Sequence, residues 1–68
     1  MKWKNANFES KDIADMCVWE LRIAGIKTGS VFQADIGIHN HTVYFVPYMP
    51  IGKDQEETAM EIISAHLW

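Results

Sequence analysis

The sequence predicts a small α+β domain. A helix, an antiparallel β-hairpin and a second helix follow one another, with both helices on one face of the sheet. Three observations predict it. Residues 11–24 and 54–67 repeat apolar side chains at helical spacing, and residues 30–48 between them alternate with a period of two. Pro47 and Pro50, which cannot donate to a sheet ladder, then separate the last strand from the last helix. A short N-terminal strand around residues 2–5 would extend the order αββα to βαββα and would support a hairpin that is marginal alone.

The first helix takes Ser10 as its N-cap and Gly25 as its stop. At about 100° per residue, Ile13, Ala14, Cys17, Val18, Leu21 and Ala24 fill one arc, with Met16 and Ile23 on its flank. Glu20 projects into that arc. On the strands, the alternation places Phe32, Ala34, Ile36 and Ile38 on an inner face with Val43 and Phe45. Gln33, Asp35, His39, Tyr44, Val46 and Tyr48 then lie outward. Sharing a face requires an even number of loop residues, because a slip of one residue turns every side chain over. Loops at 39–40, 40–41 or 39–42 meet that condition, and Asn40 tolerates the positive φ such turns use. Asp54, followed three residues later by Glu57, has the pattern of a capping box and starts the last helix. His66 projects among that helix's apolar residues, and Glu20 and His66 would meet if the two helices pack side by side.

Residues 1–68 form one domain, and a chain of this length buries only about 60% of the surface it exposes when unfolded. A hydrophobic content of 49%, with three Trp, three Phe and two Tyr, argues for folding over disorder. Cys17 is the single cysteine and has no internal disulfide partner. No run approaches the roughly 18 apolar residues that read as a membrane span, so a cytoplasmic protein without membrane attachment is expected. The net charge is −3, and the six basic residues are dispersed, which argues against a nucleic-acid partner, since neutralised phosphates supply most such affinity.

His39 and His41 flank Asn40 and suggest two metal ligands, with Asp35 or His66 as a third. The pair straddles the turn and no other ligand spacing accompanies it, so it reads as a polar turn and no metal is expected. No phosphate-cradling glycine loop is present: residues 24–30 hold two glycines without Gly-x-x-x-x-Gly-Lys-Ser/Thr, so no cofactor is expected either. Cys17, between Ile13 and Leu21, reads as a buried hydrophobe.

The residues left over form a surface. Gln33, Asp35, His39, Tyr44 and Tyr48 on the outward face, with Met49 and Ile51 in the 47–52 loop, are the candidate protein-binding set, because Tyr and Met are enriched at interface cores. The expectation is a non-catalytic, protein-binding module. The finer expectation is a phage or mobile-element inhibitor of a host protein complex such as a defence system, acting through the outer sheet face and the 47–52 loop. The alternative is a small RNA-cleaving or RNA-binding protein using His39, His41 or His66. In element order the chain resembles the double-stranded-RNA-binding fold of some small RNA-cleaving toxins, although their Gly-Ser-His signature is missing. A homodimer joined by strand edges is a further binding variant.

Overall fold

A computed structural model describes residues 2–38 and 41–67. They form β1 (Lys4–Phe8), α1 (Lys11–Ile23), β2 (Lys27–Thr28), β3 (Phe32–Ile36), β4 (His41–Met49) and α2 (Gly52–His66). The expected α+β arrangement is present: two helices pack on an open, antiparallel, four-stranded sheet. The N-terminal strand exists and runs further than expected, and β2 is an addition that the alternation did not reveal.

β4 is the central strand. On one edge β1 pairs with Tyr44 to Tyr48; on the other, β3 pairs with His41 to Phe45 and β2 with Tyr48 and Met49. β2 and β3 therefore share an edge in tandem. Between Thr28, opposite Tyr48, and Phe32, opposite Phe45, four residue steps face three, so the strand carries a bulge of one residue. Gly29 sits in that bulge. Its N–H donates to the Pro47 carbonyl at 2.9 Å, and a Cβ there would lie 3.3 Å from the Pro47 ring, so glycine permits the close approach.

The core lies between the helices and one sheet face. Leu21 and Cys17 of α1 and Val46 of β4 are fully buried, joined by Ala6 and Phe8 of β1 and Ala59 of α2. Burying a Leu or Val side chain contributes about 1.5–3 kcal/mol, so a few such residues carry much of a small domain's stability. α1 ends as expected at Gly25, φ +84°. The Gly25 N–H donates to the Arg22 carbonyl and the Ile26 N–H to the Leu21 carbonyl, both at 2.9 Å, closing a Schellman motif over the buried Leu21–Ile26 pair.

Several expectations need correction. Directly opposed residues share a face, and the registers put Tyr44, Val46 and Tyr48 with Phe8, Ala6 and Lys4 on the helix side. Tyr44 and Tyr48, expected outward, pack against the core. Phe32, Ala34 and Ile36 do share a face with Val43 and Phe45, as parity required, but that face is turned away from the helices, and Phe32 and Ile36 remain 47% and 48% exposed. The reason is that β4 is apolar on both alternations, so its pattern alone does not choose a face. β1 chooses it by supplying Ala6 and Phe8 beside Val46. β3 ends at Ile36 and β4 starts at His41; the turn role expected of Asn40 and the outward placement of His39 lie outside the described residues.

The helix ends also differ. Ser10 occupies the N-cap position of α1 without a side-chain capping bond. α2 starts at Gly52, two residues before Asp54, and the side chain that reaches back is Gln55, whose Oε1 accepts from the Ile51 N–H at 2.8 Å. Asp54 lies in the first turn, where a carboxylate complements the helix dipole. Met16, Trp19 and Ile23 stay exposed, so the buried stripe of α1 is narrower than its apolar arc.

Candidate functional site

Three features on this scaffold are candidates for a functional site. The first is the sheet face that no helix covers. Phe32 and Phe45 lie opposite each other and stack, ring centroids 5.1 Å apart and planes 17° from parallel. Stacking of this kind adds about 0.5–1.5 kcal/mol beyond the area it buries. Trp3 is 48% exposed; one of its ring atoms lies 3.8 Å from where a Gly29 Cβ would sit, and the Lys27 ammonium stands 5.7 Å from its ring centroid. Cation–π pairing of that geometry holds the indole in place while leaving half of it in water. With Ile36, these residues leave on the order of 300 Å2 of surface open.

The second feature is a cavity of about 520 Å3 at the end of the sheet where β1 stops. Phe8, Ile13, Ile36, Val43 and Leu67 give it apolar walls, and Asn7, Glu9, His41 and His66 supply its polar groups. Beyond Phe8 the edge of β4 loses its neighbour: His41 to Val43 pair with β3 on one side and, among the described residues, with no strand on the other. Val43 is buried in this wall although it belongs to the uncovered face by register.

The third feature is the Glu20–His66 contact anticipated from the two apolar helix faces. His66 Nε2 and Glu20 Oε2 are 2.6 Å apart, with the His66 side chain 13% and that of Glu20 49% exposed. It ties α1 to α2 beside the cavity. His41 Nε2 approaches Glu9 Oε1 at 3.5 Å, so each described histidine has one carboxylate neighbour. Among the described residues, no group of three or more His, Cys, Asp or Glu side chains could hold a metal ion.

The expected binding residues are scattered over these features. Gln33 lies opposite Tyr44 and Asp35 opposite Thr42, which places both on the helix-side face by register, although both are exposed. Asp35 accepts a 2.8 Å hydrogen bond from the Thr42 hydroxyl. Tyr44 and Tyr48 are half-buried against the core, and burial raises the Tyr48 phenol pKa, with smaller contributions from Cys17 and Glu56. Met49 is half-buried opposite Lys27, Ile51 is 54% exposed at the start of α2, and His39 lies outside the described residues. Burial, helped by the Glu20 carboxylate, pushes the Cys17 thiol up to about 11, as expected of a buried cysteine.

Sequence reasoning missed the Phe32–Phe45 stack and Trp3 as surface features. The signal was present in the near-equal apolar content of both β4 faces, which meant that one of them would stay uncovered. The cavity had no sequence signal, since it arises where β1 ends short of β4. No helix of the described residues is long and apolar enough to cross a membrane. The chain matches no family model, no curated protein and no solved structure.

Proposed function

We propose that this chain is a non-catalytic module that binds another protein through its uncovered sheet face. The observation that supports this most is the Phe32–Phe45 stack on β3 and β4, with Ile36 at the end of β3 and Trp3 just ahead of β1, a partly exposed aromatic and aliphatic patch. Interface cores are built of rigid aromatic anchors on ordered scaffolds, because such anchors bury large areas at little entropic cost. The partner we infer is a host protein complex, a defence system among the candidates, inhibited in the cytoplasm by a small acidic domain of a mobile element. The net charge of −3 supports that finer reading.

The test is affinity capture from host lysate with the parent protein, Phe32→Glu, and a variant carrying His41→Ala and His66→Ala, each checked for folding by circular dichroism. A binding module keeps its partner in the histidine variant and loses it in Phe32→Glu. Retention of every captured protein by Phe32→Glu would refute the assignment of this face.

A second reading has one observation in its favour. His41 and His66, two candidate acid–base groups, line the same cavity. An RNA-cleaving enzyme would use them as a proton-transfer pair on a phosphodiester. The surroundings are unfavourable for an anion, since Glu9 and Glu20 stand beside the imidazoles and, among the described residues, no Lys or Arg lines the cavity. Incubation with a labelled single-stranded oligoribonucleotide decides it. Cleavage abolished by His66→Ala would establish the enzyme, and an intact substrate excludes it.

A further inference from the structure

The cavity and the vacated strand edge beside it form one site, and we propose that it takes an extended peptide segment of a protein partner, with an apolar side chain flanked by Lys or Arg. This deepens the protein-binding reading and rests on it. Among the described residues, β4 offers His41 to Val43 with no strand on the β1 side, in line with the end of β1. A peptide laid there continues β1 across a short gap and satisfies backbone groups that otherwise face water, the pairing used in β-strand addition. Alternate side chains of such a peptide point to opposite faces, so one of them enters the space walled by Phe8, Ile13, Val43 and Leu67. The volume of about 520 Å3 accommodates a Leu, Met or Phe side chain together with its neighbouring backbone.

Charge selects the flanking residues. Glu9, with an 85% exposed side chain, stands at the rim, Glu20 lies behind His66, and among the described residues no Lys or Arg lines the cavity. A basic peptide residue gains attraction at this rim, whereas an acidic one meets like charge. The binding energy comes mainly from the apolar side chain and the edge hydrogen bonds, and the rim charge supplies selectivity. Ile36, His41 and Val43 belong by register to the uncovered sheet face, so the site opens at one end of that face and a single partner can occupy both.

The test is a nuclear magnetic resonance titration of the whole labelled chain with two capped pentapeptides: Lys-Val-Leu-Val-Lys, and its counterpart with Glu in place of both Lys. The expected result is a shift of the Phe8, Ile13, Val43 and Leu67 signals with the basic peptide, and binding about tenfold weaker for the acidic one. Glu9→Lys, an exposed position whose change leaves the fold intact, should weaken the basic peptide about fivefold. Shifts confined to Phe32, Phe45 and Trp3 would overturn the cavity site while leaving the sheet-face reading in place. Absence of shifts, or equal binding of both peptides, would overturn the proposal. If Phe32→Glu abolishes partner capture while the basic peptide still binds the cavity, the two surfaces are separable and both stand.

Discussion

Breaking the Glu20–His66 contact tests whether the packing of the two helices depends on a specific polar link. A hydrogen bond involving a charged group contributes about 1.5–3 kcal/mol when well buried. Exposed ion pairs contribute about 0.2–1 kcal/mol. At 2.6 Å the contact is short, but about half of the Glu20 side chain is in water while His66 is nearly covered, so the value belongs between those limits, at about 1 kcal/mol. His66→Ala also loses the packing of a largely buried ring, so the single variants overstate the link. A double-mutant cycle of Glu20→Ala, His66→Ala and the double variant removes that contribution, read by urea unfolding at pH 7. The expected coupling is about 1 kcal/mol, a large share of the roughly 3–10 kcal/mol that a chain of this length holds in reserve. A coupling below about 0.3 kcal/mol, the level at which unconnected sites add, would refute it.

Other perturbations read other parts of the fold. Leu21→Ala, at a fully buried position, should cost about 2–5 kcal/mol by thermal or urea unfolding, whereas Ile23→Ala, 79% exposed on the same helix, should change stability by less than about 0.5 kcal/mol. Gly25→Ala forces a side chain onto a φ of +84° and should cost about 1 kcal/mol through the Schellman turn, with little change in the urea m-value. Cys17 gives a pH dependence. Its folded pKa, about 11, lies above the 9.0 of the free thiol, so the native state holds the proton more tightly. That stabilisation is complete below about pH 9 and is lost as pH rises to 11, about 2–3 kcal/mol in all. Tyr48, also shifted upward, acts in the same direction. Urea midpoints at pH 8 and 10.5 should therefore differ less in Cys17→Ala than in the parent, and an equal drop in both would contradict the assignment.

What could be read from the sequence divides along physical lines. The period of 3.6 placed α1 to within a residue, and the single ionisable group on each apolar helix face anticipated the Glu20–His66 contact, because a carboxylate and an imidazole facing a core need partners. Strand parity gave the right companions for Phe32, Ala34 and Ile36, yet turned them to the wrong side. In β4, Val43 and Phe45 alternate with Tyr44, Val46 and Tyr48, two apolar sets whose difference in hydrophobicity is too small to name the core face. The decision is tertiary: β1 brings Ala6 and Phe8 to the Val46 side, and the bulge at Gly29 lets β2 and β3 follow β4 with opposite face assignments. Tyr44 and Tyr48 read as binding residues because Tyr is enriched at interface cores, and the large apolar ring behind that enrichment also lets them pack against the core of the fold. The cavity depends on where β1 ends relative to β4, a long-range register that no local pattern carries.

Placing a photoreactive benzoylphenylalanine at position 32, and separately at the exposed helical position Met60, tests most directly whether the uncovered sheet face is where this chain binds. After irradiation in host lysate, position 32 should give a discrete crosslinked protein that position 60 does not. Adducts from position 60 alone, or the same adducts from both positions, would contradict the account.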